Sequence, residues 1–487
     1  MKLAILVLLP ILAGLAMFFN RHPTFNRRLL LAVAGIHALV AAGAIWRPPQ
    51  PVLGGWLALD ALGAFFLVII SALFLLVTVY HQGYLQPRPD HPELPHERFF
   101  VGCLSIFLGT MTLVAVSQNL GVMWVAVEAT SLASAPLIFH HRSKASLEAA
   151  WKYLIICSVG IALALLGVVF LCTSTVGTPA QGTLNLSELL LHAHSFNPIW
   201  LKAAFVILFV GYGTKMGLAP MHTWLPDAHS EAPSGTSALL SGVLLNCAFL
   251  ALLRAYQVCL AAGDAGYAGG LFLIFGLLSM LVSVSVMLVC SDYKRLLAYS
   301  SIEHMGIVAL SIGLGPATWF FALYHTLCHS FCKGTLFLSA GNILNRTGTK
   351  QIRSVTGLLQ ASPIIGMVWI AGALAILGIP PSGLFISEFN ILGGALRLGS
   401  AWQAAVVSCL FLLLLFIVFF AMGRAMLNMA LGSPSECLKT STATDSRWMT
   451  WPPLVLLSVV LILGVWLPEP VRLFIANAVA VLKGGTP

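Results

Sequence analysis

Charge is what this chain has least of: Asp, Glu, Lys and Arg make up 8% of its 487 residues, against roughly 25% in an ordinary soluble domain. With 59% apolar residues, it reads as a polytopic membrane protein. Ten cysteines are scattered, most of them within apolar runs, with no C-x-x-C pair. That pattern disfavours iron–sulfur or zinc ligation and leaves small buried hydrophobes; only Cys328 and Cys332 stand close, on one helical face. A P-loop, a Gly-rich dinucleotide turn, a metal-ligand cluster and a nucleophile elbow are all absent from the sequence. No small-residue cleavage site follows the first apolar run, which is therefore expected to be the first membrane helix.

What is present is a series of apolar runs of about 20 residues, the length a membrane helix needs. They begin near Lys2, Leu29, Trp56, Phe99, Leu120, Leu147, Trp200, Ser234, Gly269, Leu296, Ala317, Pro363, Ala401 and Pro453. The expected fold is an all-α integral membrane protein of about 14 transmembrane helices. Alternate connections, beginning with the first, hold 16 of the 25 basic residues, from Arg21, Arg27, Arg28 and Arg88 to Arg424, Lys439 and Arg447. By the positive-inside rule both termini then lie outside the cytoplasm, in the cytoplasmic (inner) membrane of a cell. The uncharged connection from Thr173 to Pro198 reads as an external loop with a short helix at Asn185 to His194. The Arg424 to Trp451 segment reads as a flexible polar connection.

Two runs are interrupted. The first break, GTKMGLAPMHTWLPDAHSEAPSG, carries Lys215 and then Gly217, Pro220, His222, Asp227, His229 and Glu231. The second, GIPPSG at Gly378 to Gly383, is followed by Glu388. Broken helices at membrane depth are tolerated only where protein or a water-filled cavity surrounds the freed backbone groups. The second break falls five spans after the first, and an odd offset reverses the direction of crossing. That suggests two inverted five-helix repeats. The expected units are residues 1–98, an N-terminal three-helix segment; 99–260, the first repeat, broken near 217–220; 268–430, the second, broken near 378–383; and 431–487, a polar connection with the last helix.

Ionisable residues inside spans are costly and mark ion or proton pathways. Glu128, near the middle of the fifth span, is either a carboxyl held neutral by burial or a partner for Lys215. His325, His329 and Lys333 recur at i, i+4 and i+8 along the eleventh span and share one face. Packing alone does not account for three such groups, and a proton or ion relay does; histidines of one helix cannot both be axial ligands of one haem. Glu303 and His304 are either a lining pair or a polar helix end. Asp227, His229 and Glu231 are loop residues or a path from Lys215 to water. Glu388 is an exit gate or a capping carboxylate for the second half-helix. Asp60 and Glu148 sit near span ends, where solvated carboxylates are common.

WVAVEATSLASAP, GTKMGLAPMHTWLPDAHSEAPSGTSALLSG, DYKRLLAYSSIEHMGI and GIPPSGLFISEF together resemble the proton-translocating antiporter-like membrane subunits. That family is shared by respiratory complex I, multisubunit cation/proton antiporters and membrane-bound [NiFe] hydrogenases. The likeness covers about residues 100 to 430, and SSIEHMG, LEAAWKY and SALLSGVLLN look most like the hydrogenase-4 component F type. The resemblance implies Glu128 and Lys215 as an input pair, His325, His329 and Lys333 as central connecting elements, and Glu388 as the terminal proton site. It implies no cofactor in this chain, with a [NiFe] centre and iron–sulfur clusters in partner subunits. Two departures stand out. Asn246 occupies a position in the eighth span where some members carry lysine, so a route between the halves has to use ordered water and the histidines. The chain is also shorter than the distal complex I subunit, with its lateral helix and extra spans.

Three functions follow as expectations. The first is a proton-translocating subunit of a redox-driven complex of the hydrogenase or formate hydrogenlyase type. The second is the same fold in complex I, in a sodium/proton antiporter or in an inorganic-carbon uptake complex. The third is a non-conducting membrane anchor, which the retained charged positions disfavour. Each would sit in the bilayer among other membrane subunits.

Overall fold

The computed structural model describes residues 1–86, 96–439 and 446–484. Arg88 and the middle of the polar connection, residues 440–445, lie outside the described residues. Apolar runs in lipid must satisfy their own backbone, which leaves helices as the economical solution. The described chain is accordingly all helical, with only isolated β-bridges between loops.

Four helices open the chain: α1 (Lys2–Phe19), α2 (Pro23–Trp46), α3 (Ala61–Tyr84) and α4 (Glu97–Val116). The next group is α5 (Leu120–Ile138), α6 (Lys144–Ser174), the short α7 (Leu186–His192), α8 (Pro198–Met216) and α9 (Trp224–Glu231). Then come α10 (Ser234–Leu239), joined through a π-helical turn at Leu240–Leu244 to α11 (Leu245–Ala261), α12 (Ala265–Met287), α13 (Tyr293–Gly313) and α14 (Trp319–Thr347). The remainder is α15 (Leu358–Ala361), α16 (Pro363–Ile376), α17 (Gly383–Ala395), α18 (Ala401–Ala430), α19 (Glu436–Lys439), α20 (Arg447–Val465) and α21 (Glu469–Leu482).

Among the described residues, 12 helices are long and apolar enough to cross a membrane. The two remaining apolar runs are α14, 29 residues long but rich in polar side chains, and the pair α16 and α17, which the second break divides. Arg424 falls inside α18, so the polar connection is shorter than the composition suggests and begins after Ala430.

Side chains place the helix starts. Asn119 accepts from the amides of Gly121 and Val122 (3.0 and 3.2 Å) to start α5, and Asp292 accepts from Lys294 and Arg295 (2.7 and 3.1 Å) to start α13. Each satisfies donors that a helix N-terminus leaves open. The loop between α6 and α8 is pinned to the tight turn between α4 and α5, because Asn119 also donates to Asn185 at 3.0 Å.

The π-turn and α10–α11 form the centre of the molecule: the whole apolar window of Ser234–Ala261 is buried, against 33% for the windows of α1, α2 and α18. α14 packs beside it, against α13, α16, α17 and α20. Helices α12 and α13 approach until a Cβ on Gly276 would stand 2.6 Å from the amide nitrogen of Leu310. Small residues permit such contact, which in lipid supplies packing where a hydrophobic drive is missing.

Two buried ion pairs brace this frame. Arg27 of α2 grips Glu97 of α4 at 2.5 and 2.6 Å. Arg254 of α11 grips Asp60 at 2.7 Å through both guanidinium branches, while Asp60 caps α3 through the Gly63 amide. Asp60 is thus not a solvated carboxylate: its position at a span end hid a bidentate partner 194 residues away.

Candidate functional site

Both breaks are built alike. α8 ends on Gly217 at φ +83°, and α16 is followed by Gly378 at φ +62°, left-handed values that favour glycine. The freed backbone is satisfied by protein. Trp224 Nε1 donates to the Thr214 carbonyl at 2.8 Å, and Ser279 Oγ accepts from the Ala219 amide at 2.9 Å. At the second break the Ile379 amide reaches the Leu374 carbonyl at 3.1 Å, and Ser382 caps α17 through the Phe385 amide. The cap of α17 is therefore Ser382, and Glu388 lies beyond the first turn as a buried side chain.

At the first break Lys215 is fully buried on the last turn of α8. Its ammonium donates to Ser131 Oγ at 2.5 Å and to the Tyr153 hydroxyl at 2.7 Å, and lies 4.6 Å from the Tyr153 ring centre. Two of its three donors are thus filled, and the ring face adds a cation–π contact. Glu128 is half-buried and accepts from Ser158 at 2.9 Å and Ser131 at 3.3 Å. The expected Glu128–Lys215 pair does not form a direct ion pair among the described residues, because Ser131 stands between them. Tyr153 passes the network on to Ser134 at 2.6 Å. Sequence reasoning overlooked these hydroxyls; the i, i+3 spacing of Glu128 and Ser131 on one helix was the available signal.

The residues after the break divide. Asp227 pairs with Lys152 (3.1 Å) and with Arg295, Lys152 also holds Glu148 (2.6 Å), and Glu231 holds Lys350 (2.7 Å). With Asp292 and Ser230, all of these except Lys350 line a polar cleft of about 310 Å³ between α6, α9 and α13. Asp227 and Glu231 therefore belong to a surface ion network and do not continue the line from Lys215. Glu148, with a side chain 67% exposed, is solvated as its position suggests. His222 is buried in the turn, 6.3 Å ring to ring from Tyr299. His229 is buried on α9 and stacks on Phe337 of α14 at 5.1 Å, on the helix that carries Lys333.

At the second break the histidines converge. His325 of α14 bonds Ser387 of α17 through Nδ1 at 2.9 Å and His304 of α13 through Nε2 at 3.0 Å. His304 Nε2 in turn lies 3.3 Å from Glu303 Oε2, without hydrogen-bond alignment. His329 sits 5.1 Å ring to ring from His304, with neither nitrogen bonded to protein. Glu303 and His304 are thus buried deep inside α13 and are not a polar helix end. Lys333 donates to the Leu297 carbonyl and to Ser300 Oγ, both at 2.8 Å. Asn246, two residues beyond the π-turn, donates to the Gly242 carbonyl and to Ser330 Oγ at 2.7 Å, so it ties the central helix to α14 beside His329.

Two broken helices, each beside a buried lysine or histidine network, define a polytopic membrane protein with an internal file of ionisable groups. The chain belongs to the family described as NADH:quinone oxidoreductase/Mrp antiporter, transmembrane, whose family model matches residues 117–414. Over 348 residues it is 38% identical to the hydrogenase-4 component F homolog of Methylacidiphilum infernorum, covering 70% of this chain and 73% of that protein. Its fold matches a chain of respiratory complex I from Thermus thermophilus with a TM-score of 0.82 at 25% identity, covering all of both chains. It also matches a chain of the Mrp complex of Dietzia sp. with a TM-score of 0.83 at 20% identity, over 99% of this chain and 97% of that one.

Proposed function

We propose that this chain is the proton-translocating membrane subunit of a redox-driven complex of the membrane-bound [NiFe] hydrogenase or formate hydrogenlyase type. The observation that carries this reading is the pair of buried relays, each built from groups that both give and take protons. Similarity to a hydrogenase-4 component F homolog supports the hydrogenase assignment. The [NiFe] centre and iron–sulfur clusters belong to partner subunits, and the chain sits in the cytoplasmic membrane with both termini outside. The two breaks, five spans apart, support inverted repeats with the relays between them.

In the first relay Lys215 holds its proton while Ser131 accepts from it and donates to Glu128. A change in the charge of Glu128 reaches the ammonium through one hydroxyl. An ammonium that loses this support in a dry site sheds its proton more readily. In the second relay each imidazole can take a proton on one nitrogen and release one from the other. The hydrogen-bonded line Ser387–His325–His304 therefore allows transfer by tautomer exchange, with Glu303 3.3 Å from His304 Nε2 as the next acceptor, Lys333 beside it and Glu388 at the terminal break. Asn246 carries no titrating proton, and its bond to Ser330 makes it a strut between the halves.

The test is proton pumping by the reconstituted whole complex carrying Lys215→Ala or Glu128→Gln. Loss of pumping in a normally assembled complex is expected. Unchanged pumping would sink the proposal.

A further inference from the structure

We propose that His304, His325 and Glu388 form a binding site for one divalent transition-metal ion of the zinc class. One nitrogen of each histidine and one oxygen of Glu388 lie within 4.8 Å of one another, and all three residues are buried. They come from α13, α14 and α17, so no motif in the sequence announces them.

The facing nitrogens, His304 Nδ1 and His325 Nε2, are 3.0 Å apart. Two nitrogens bound to one tetrahedral zinc at 2.0–2.1 Å stand about 3.3 Å apart, so a small movement converts their hydrogen bond into joint ligation. One far nitrogen already has a hydrogen-bond partner of the kind that orients metal-bound histidines. His325 Nδ1 meets Ser387 Oγ at 2.9 Å, and the Glu303 carboxyl stands 3.3 Å from His304 Nε2, near enough to align with it once the ring turns. Such outer partners fix the tautomer and orient the ring for ligation. The hydrogen between the two rings moves to the far nitrogen of its own ring, and Glu388 binds as a carboxylate, its proton leaving to solvent as the ion enters.

Two carboxyl groups favour a cation here: Glu388 as ligand and Glu303 behind His304, with the Lys333 ammonium beside Glu303 opposing them in part. Glu388 is fixed from the other side, because its carboxylate packs on Gly378, where any Cβ would collide with it. Two nitrogens and one oxygen leave a fourth position open, as in zinc sites that keep a water.

A metal ion here occupies the nitrogens through which the second relay runs, so it blocks transfer. The blocking rests on the proton-transfer reading; the binding does not. The experiment is a titration of the purified full-length chain in lipid nanodiscs with Co2+, read by its visible absorption, followed by displacement with Zn2+. One Co2+ per chain with intense tetrahedral-type bands is expected. His304→Gln and Glu388→Gln are expected to weaken it at least tenfold, and Cys409→Ser, at an exposed thiol, to leave it unchanged. X-ray absorption of the Zn2+ form, showing two imidazoles and oxygen ligands, keeps the test sound if a variant folds poorly. No stoichiometric Co2+, or binding that survives both substitutions, overturns the site even where Lys215→Ala still abolishes pumping. Binding confirmed in this way, with pumping by the whole complex unaffected by saturating Zn2+, upholds the metal site and overturns the route through His304.

Discussion

The two halves of the molecule solve one problem with different chemistry. Around Lys215 a single ammonium is held by Ser131 and Tyr153, and the half-buried carboxylate of Glu128 is reached through a hydroxyl. Around His325 three imidazoles stand within 6.5 Å ring to ring, and both oxygens of Glu303 lack a hydrogen bond from protein. The first half is a hydrogen-bonded set around one ammonium; the second has spare acceptors and donors. In the proposed scheme the first is a store and the second a conductor, and substitutions in the two should differ in cost.

The largest loss is expected from removing the store: Lys215→Ala should cut proton pumping by about 100-fold or more, the scale at which a positioned proton-transfer group contributes. His325→Gln comes next, at about tenfold or more, because it interrupts the only described link between Ser387 and His304. Pumping that survives His325→Gln would break the distinction drawn between the halves. Ser131→Ala should give a smaller fall, a few-fold, since water can replace one hydroxyl between Lys215 and Glu128. Asp60→Asn or Arg254→Ala should leave pumping per assembled complex intact but lower stability by about 3–5 kcal/mol, read by thermal denaturation in detergent. Glu148→Gln should change neither reading by much, since its pair with Lys152 is exposed and screened by water.

Much of this arrangement was legible in the sequence, and the reasons are physical. Apolar runs of membrane length and Gly-Pro breaks are local signals, so the helices and both interruptions emerge from them. The ionisable residues stand out because burial in lipid makes them expensive. What stayed hidden depends on pairing across sequence distance. Ser131, Tyr153 and Ser387 look like ordinary polar residues of apolar helices until α5, α6, α8, α14 and α17 are brought together. Asp60 looked solvated because Arg254 lies on another helix, and Asp227 looked like part of a path because Lys152 and Arg295 do too. His229 was placed with Lys215 by sequence order, whereas stacking on Phe337 puts it beside α14.

In the proposed scheme store and conductor work in series along one route. The direct measurement is the number of protons pumped per turnover by the reconstituted complex carrying Lys215→Ala, Lys333→Ala, or both. In series, each single variant abolishes the transport this subunit contributes, and the double variant is no worse than either alone. If each single variant instead removes part of that transport and the losses add in the double, the halves conduct separately and the account is contradicted.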